Sequence, residues 1–269
     1  MSISASLVKE LREKTGVGMM DCKKVLEETN GDLDAAVKSL REKGLSKAAK
    51  KSDRSTKEGR VITYINNHSA VILELNCETD FVANNDNFIQ LGKTIAKAVS
   101  EVDSEPSDVK ELTIDGSKIG ELISDAVLQL GENINVGQYK KLNTTGSFYD
   151  YEHTNGKIGV LVEFSNAIRE DVGRDIAMQV AAMNPPYVSS DQVPTTDLEN
   201  ESDILRKQAL AEGKPEQVVE KIIEGRLTKF YKENCLVEQS FVKDPEKTIK
   251  DLLPSDTSVK SFDRFSLVG

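Results

Sequence analysis

Tryptophan is absent from this sequence, and only 8 Phe and 6 Tyr stand among its 269 residues. Its cores must therefore be built from Leu, Ile, Val and Ala, with aromatic rings used sparingly. Histidine occurs twice, at His68 and His153, and cysteine three times, at Cys22, Cys77 and Cys235. An odd number of widely spaced cysteines argues against a disulfide framework and for a reducing, cytoplasmic setting. Neither C-x-x-C nor H-x-x-x-H spacing occurs, so the usual zinc patterns are missing. No apolar run approaches the roughly 18 residues of a membrane span. The opening MSISASLVKELREKTG is charged and amphipathic, unlike a signal peptide. Charge, by contrast, is plentiful: 30% of residues are Asp, Glu, Lys or Arg against 38% hydrophobic, a balance that suits a soluble globular chain. The net charge of −10 is uneven, with 14 Lys and Arg against 10 Asp and Glu in residues 1–60, and 21 against 35 in the remainder. An acidic bulk repels phosphate backbones, so direct nucleic-acid binding is not expected.

The length suits two or three compact units. Residues 1–46 read as a three-helix domain. Ser4 or Ser6 can cap a first helix carrying Leu7, Val8 and Leu11, which Thr15-Gly16 ends. A second helix runs from about Met19 to Thr29, with Met20, Val25 and Leu26 inward, and Asn30-Gly31 stops it. Asp32 caps a third, carrying Leu33, Ala36, Val37 and Leu40, and Gly44 closes it. Adjacent methionines cannot both face one helix core. Either one of Met19 and Met20 is core and the other rim, or the pair is an exposed soft contact for a partner. Residues 47–60, KAAKKSDRSTKEGR, read as a basic solvated linker, with a small contact to an anionic surface as the alternative.

An internal repeat follows. Tyr64–Leu75 and Tyr151–Phe164 each read as strand, polar turn, strand, and each precedes a helix, at 88–101 and 172–183. In the second helix Ile176, Val180 and Met183 fall on one face. Residues 118–136 give a helix and then a strand that closes the first sheet. The expectation is an α+β fold with two related core subdomains, at 61–140 and at 141–188 continued by 234–253, each with a small antiparallel sheet. Residues 189–233 hold a projecting antiparallel helical hairpin, 197–213 and 215–233, with Gly213 ending one helix and Pro215 opening the next. Val219, Ile222, Ile223, Leu227 and Phe230 make its apolar stripe. Residues 254–269 form a short C-terminal segment.

The search for chemistry returns mostly negatives. Gly92-Lys93-Thr94 imitates the end of a phosphate loop, but Asn87 stands where its first glycine belongs, and the segment reads as mid-helix. Asp80, Asn84 and Asp86 lack calcium-loop spacing. Cys77 ends an apolar strand and is most simply a buried small hydrophobe; a thiol enzyme pairing it with His68 or His153 is the rival. No carboxylate pair is singled out. The class expected is a binding or regulatory protein, with no catalytic residue, metal or cofactor. Within NCETDFVANND, residues 76–86, Thr79 or Asp80 can cap a helix that starts near Phe81. Phe81 then either folds back as a hydrophobic staple or projects as a rigid aromatic wedge beside an acid.

Two long stretches, Leu11-Arg12-Glu13-Lys14-Thr15-Gly16-Val17-Gly18-Met19-Met20-Asp21-Cys22-Lys23-Lys24 and Asn76-Cys77-Glu78-Thr79-Asp80-Phe81-Val82-Ala83-Asn84, resemble the bacterial elongation factor Ts family, guanine-nucleotide exchange factors for elongation factor Tu. Gly131-Glu132-Asn133-Ile134, Tyr151-x-His153 and Phe262-x-Arg264-Phe265 continue the resemblance in order. It implies a ubiquitin-associated-like N-domain that contacts the partner through Leu11, Arg12, Met19, Met20 and Lys23. It implies that Thr79, Asp80, Phe81 and Val82 insert near the Mg²⁺ and nucleotide site of elongation factor Tu, in its GDP-bound and nucleotide-free forms. It also implies a further contact through Tyr151 and His153. A homodimer through the helical hairpin is compatible with it. A ubiquitin-associated-type adaptor without exchange activity is the alternative. The strand after Ile134 lacks the arginine usual in the family, with Lys140 as a point-charge substitute, and the tail stops at Gly269 where many relatives continue into a terminal helix.

Overall fold

The computed structural model describes residues 3–268. They form two compact units: one runs to Leu142 and takes in Glu152–Gly159 and the chain from Phe265 onward, the other comprises Asn143–Tyr151 and Val160–Arg264.

In the first unit three helices lead: α1 (Ala5–Thr15), α2 (Met19–Glu28) and α3 (Leu33–Lys51). Ser4 caps α1 by accepting from Leu7 N–H at 3.2 Å, and Gly16, at φ 67°, closes it. Asp32 caps α3 by accepting from Ala35 N–H. Leu11, Cys22, Val25, Leu26, Ala36 and Leu40 form the small core of these helices. Two expectations fail here. Met20 does not face inward: Met19 and Met20 are 52% and 76% exposed, because Cys22, Val25 and Leu26 define the buried face of α2. Nor does Gly44 end α3, which continues to Lys51 and takes up the first five residues of the expected linker.

Next come β1 (Glu58–Asn66) and β2 (Ser69–Cys77), an antiparallel hairpin with Asn66 opposite Ser69 and Glu58 opposite Cys77. Asn67, at φ 50°, makes the tight turn. Then follow α4 (Asp80–Ala83), α5 (Asp86–Glu101), the short pair β3 (Thr113–Ile114) and β4 (Ser117–Lys118), α6 (Ile119–Leu130) and β5 (Asn135–Asn143). The sheet order is β1-β2-β5, so the strand after α6 does close the first sheet. Phe88, Leu91, Ile95 and Val99 recur at helical spacing on α5 and join Ile62, Leu73 and Leu75 in one core. Gly92 lies on that face, where a Cβ would stand 2.8 Å from Ile62 Cγ1. The apparent phosphate loop is a point of close helix–sheet packing. Gly44 has a similar role: a Cβ there would lie 3.2 Å from the Ser124 carbonyl of α6 and 3.6 Å from Leu128. Leu128 completes the three-helix core, and Gln129 donates to the Thr15 carbonyl.

The second unit holds β6 (Ser147–Glu152), β7 (Ile158–Phe164), α7 (Glu170–Met183), α8 (Thr195–Ala211), α9 (Glu216–Asn234), the pair β8 (Ser240–Phe241) and β9 (Asp244–Thr248), α10 (Ile249–Leu252) and β10 (Val259–Ser266). The ends of β6, β7 and β10 cluster with the first unit. Sheet order β6-β7-β10 repeats the pattern of β1-β2-β5: a hairpin, its second strand central, with a later strand added beside it. Gly173 of α7 sits against the Tyr149 ring as Gly92 of α5 sits against Ile62. Ile176 and Val180 are buried, but Met183 is exposed, since Asn184 turns the chain left-handed immediately after it. Helices α8 and α9 pack through Leu205, Ala209, Val219 and Ile223, with Gly213 (φ 73°) and Pro215 in the turn. Ile222 and Leu227 flank that contact, and Phe230 meets Tyr187 and Tyr231 instead. The whole is a mixed α+β fold with small antiparallel sheets.

Candidate partner-binding site

Strand β2 delivers the chain to its corner. Leu73, Leu75 and Cys77 alternate inward, which ends the strand with the thiol fully buried. Two residues later Thr79 is extended (φ −130°, ψ 156°), and its hydroxyl accepts from Val82 N–H at 3.4 Å, capping α4. This helix is a single turn. Ala83 is buried and Val82 packs partly on the core, which directs Asp80 and Phe81 outward. Phe81 is 85% exposed, so it does not fold back as a staple. Asn84 donates from its side-chain amide to the Asp80 carbonyl, and Asn85 caps α5.

The turn after α6 braces this corner from across the sequence. Glu132 accepts from the backbone N–H groups of Glu78 and Thr79, both at 3.0 Å, and from the Thr79 hydroxyl at 2.6 Å. In return Glu78 accepts from Asn133 N–H at 2.7 Å. That bond, and then the Arg54 guanidinium nearby, holds the Glu78 carboxyl below its usual range. Asn133 is buried and donates to the Ser52 and Arg54 carbonyls. Sequence reasoning missed Glu132 and Asn133 as parts of the corner, although their motif was noted; their partners lie more than 50 residues away.

The remaining candidates lie elsewhere. Arg12, at the end of α1, and Met19, Met20 and Lys23, on the first turns of α2, are exposed, and Lys23 pairs loosely with Glu27 at 3.9 Å. Leu11 must be withdrawn: it is 0% exposed, a core residue of the three helices with no surface to offer. Tyr151 lies near the end of β6 and His153 just beyond it, both half-buried. The turn at His153 is fixed by its N–H donating to the Ile158 carbonyl and its carbonyl accepting from Gly156 N–H.

The thiol alternative fails on geometry for His68 and, for either histidine, on the protonation of the thiol. His68 lies in the turn at the opposite end of β2 from Cys77, roughly 30 Å away along a strand rising about 3.3 Å per residue. Burial, and then the nearby Glu132 charge, push the Cys77 thiol up to about 12, and its hydrogen is directed at the Thr79 carbonyl, 3.1 Å away. Among the described residues no group of three His, Cys, Asp or Glu side chains could hold a metal ion, and no helix is long and apolar enough to cross a membrane.

An aromatic ring presented on a braced single-turn helix, beside a thiol held neutral, suits contact with another protein better than chemistry of its own. A family model described as Elongation factor TS matches residues 78–268, and the chain belongs to that family. Members are non-enzymatic exchange factors that interact with elongation factor Tu in translation elongation. The match takes in the corner from Glu78, its Glu132 brace and the Tyr151–His153 turn; the three N-terminal helices precede it.

Proposed function

We propose that this chain accelerates GDP release from elongation factor Tu by setting Asp80 and Phe81 against the partner's Mg²⁺ and nucleotide site. The observation that carries the reading is the 85% exposure of Phe81 on a corner held by hydrogen bonds at both Glu78 and Thr79. A ring of that size fits only where the partner's own elements have separated, so it favours the open, nucleotide-free form. Binding the empty partner more tightly than the GDP-bound one lowers GDP affinity by the same factor. Asp80 brings a carboxylate to a place where Mg²⁺ and phosphate are the dominant charges, and competes for polar contacts there. Each ~1.4 kcal/mol removed from the release barrier is roughly tenfold in rate. No bond is made or broken.

In the same reading the N-terminal helices form a ubiquitin-associated-like domain that docks through Arg12, Met19, Met20 and Lys23, and Tyr151 and His153 make a second contact. The α8–α9 pair is a projecting hairpin available for self-association, and the chain acts in the cytoplasm, on both GDP-bound and nucleotide-free partner. The test is stopped-flow release of a fluorescent GDP analogue from elongation factor Tu. Release should accelerate with chain concentration, and Phe81→Ala should slow it by a factor on the order of 100 while leaving the melting temperature unchanged. Wild-type rates from Phe81→Ala would end the wedge reading. Complex formation without any acceleration by the wild-type chain would favour an adaptor.

A further inference from the structure

The one-turn helix that carries Phe81 cannot hold itself in place. Four residues are far below the length at which a helix is stable alone, and its Thr79 cap bond is long at 3.4 Å. Something outside the corner must fix it. The carboxylate of Glu132 does so with three hydrogen bonds: Oε2 takes the N–H groups of Glu78 and Thr79, and Oε1 takes the Thr79 hydroxyl. These bonds to a charged acceptor are among the stronger ones available. Together they set the two peptide units that precede the helix and orient the Thr79 hydroxyl, whose oxygen then faces Val82 N–H.

Glu132 is itself anchored. Gly131, at φ 78°, ends α6 with its N–H on the Val127 carbonyl, and the next two residues are tied to the corner. Asn133 N–H returns a bond to Glu78, and the Asn133 amide grips the chain at Ser52 and Arg54. The two segments thus exchange carboxylates, each satisfying the other's backbone. Glu132 forms no ion pair among the described residues; every bond found for it goes to the corner. A charge placed in that way serves the shape of the corner and not a salt bridge.

We propose that Glu132 is the positioning residue of the exchange corner: it holds Thr79 and hence the direction in which Phe81 enters the partner. The proposal rests on the corner being the part that opens the nucleotide site. A loosened corner would still let the chain dock, since docking uses other surfaces, but Phe81 would enter in the productive pose only part of the time. The loss therefore falls on the maximal release rate and not on the concentration of chain that half-saturates it.

The experiment is GDP-analogue release from elongation factor Tu over a full range of chain concentration, with Glu132→Ala, Glu132→Gln, Phe81→Ala and the double variant Glu132→Ala/Phe81→Ala. Glu132→Ala should lower the maximal rate on the order of tenfold and leave the half-saturating concentration within about twofold. Glu132→Gln, which keeps one acceptor oxygen and the same volume, should lie between the two and covers the case in which the alanine variant folds poorly. On the Phe81→Ala background, Glu132→Ala should cost less than about twofold, because no ring remains to be aimed. A wild-type maximal rate in folded Glu132→Ala, or losses that simply multiply in the double variant, would overturn the positioning role. If Phe81→Ala is itself harmless, the wedge reading fails first and this proposal with it.

Discussion

Between residues 77 and 81 the chain buries a thiol completely and leaves a phenyl ring almost bare. The pleat of β2 turns Cys77 inward beside Leu75 and Leu73, while the cap at Thr79 rotates the next turn so that Phe81 points away. Reactivity follows the burial. A thiol whose pKa is about 12 is neutral at any ordinary pH. Native protein treated with iodoacetamide at pH 8 should leave Cys77 unmodified by peptide mass spectrometry, and urea-unfolded protein should be modified there; rapid labelling of the native thiol would contradict its burial. The same shift has a sign in stability. The folded thiol holds its proton more tightly than the unfolded one, so it contributes nothing below the ordinary value of 9.0 and destabilises the fold as pH rises from there toward about 12. The inward face of a strand was legible from its apolar run, and so was Cys77. Leu11 and Met20 were not, because a contiguous recognition stretch runs through inward and outward positions of its helices alike. Only the packed three-helix core shows which residue of Leu11-Arg12 or Met20-Cys22 is inside.

Two helices rest on two sheets through a missing side chain. A Cβ at Gly92 would stand 2.8 Å from Ile62 Cγ1, and one at Gly173 would stand 2.3 Å from Cγ of the Tyr149 ring. Neither obstacle is the free end of a flexible chain. Helix propensity alone would favour replacing either glycine by about 0.5–1 kcal/mol. Overpacking opposes that gain by ~1–3 kcal/mol. Gly92→Val and Gly173→Val should therefore each destabilise by a net ~1 kcal/mol, and by no more than about 2.5 kcal/mol, in urea titrations, despite lying in helices. Stabilisation by either would mean that the helix stands further from its sheet. The hairpins and their following helices were readable from period-two and period-3.6 patterns, and the repeat from their order. The end of α3 was not. Gly44 looks like a stop signal in isolation, and only the Ser124 carbonyl and Leu128 on α6 show it to be a packing glycine. The Glu132 brace was equally hidden, since its meaning lies in partners 53 and 54 residues away.

At the scale of the whole molecule, the family match begins at Glu78, whereas the exposed methionines belong to helices that precede it. Those helices are not a loosely tethered appendage. Their core is completed by Leu128 of α6, and Lys51 reaches the Gly131 carbonyl just beside the Glu132 brace. Deleting residues 1–52 would therefore strip cover from α6 as well as remove the proposed docking surface, and weakened binding could not be traced to one cause. Replacing Met19 and Met20 together by Ser separates the two. Both side chains point away from the Cys22, Val25 and Leu26 face, so stability should change by less than about 0.5 kcal/mol. If that surface docks on elongation factor Tu, burying two such side chains is worth ~1.5–3 kcal/mol each at full coverage. With about half of each side chain covered, a calorimetric titration should then show affinity weaker by one to two orders of magnitude, about 1.4–2.8 kcal/mol, with the melting curve unmoved. The maximal GDP release rate at saturation should stay near wild type, since the Phe81 corner is untouched. Undiminished affinity would remove the methionines from the interface and leave Arg12 and Lys23, with the acidic bulk of the chain behind them, as the means by which the N-terminal helices find their partner.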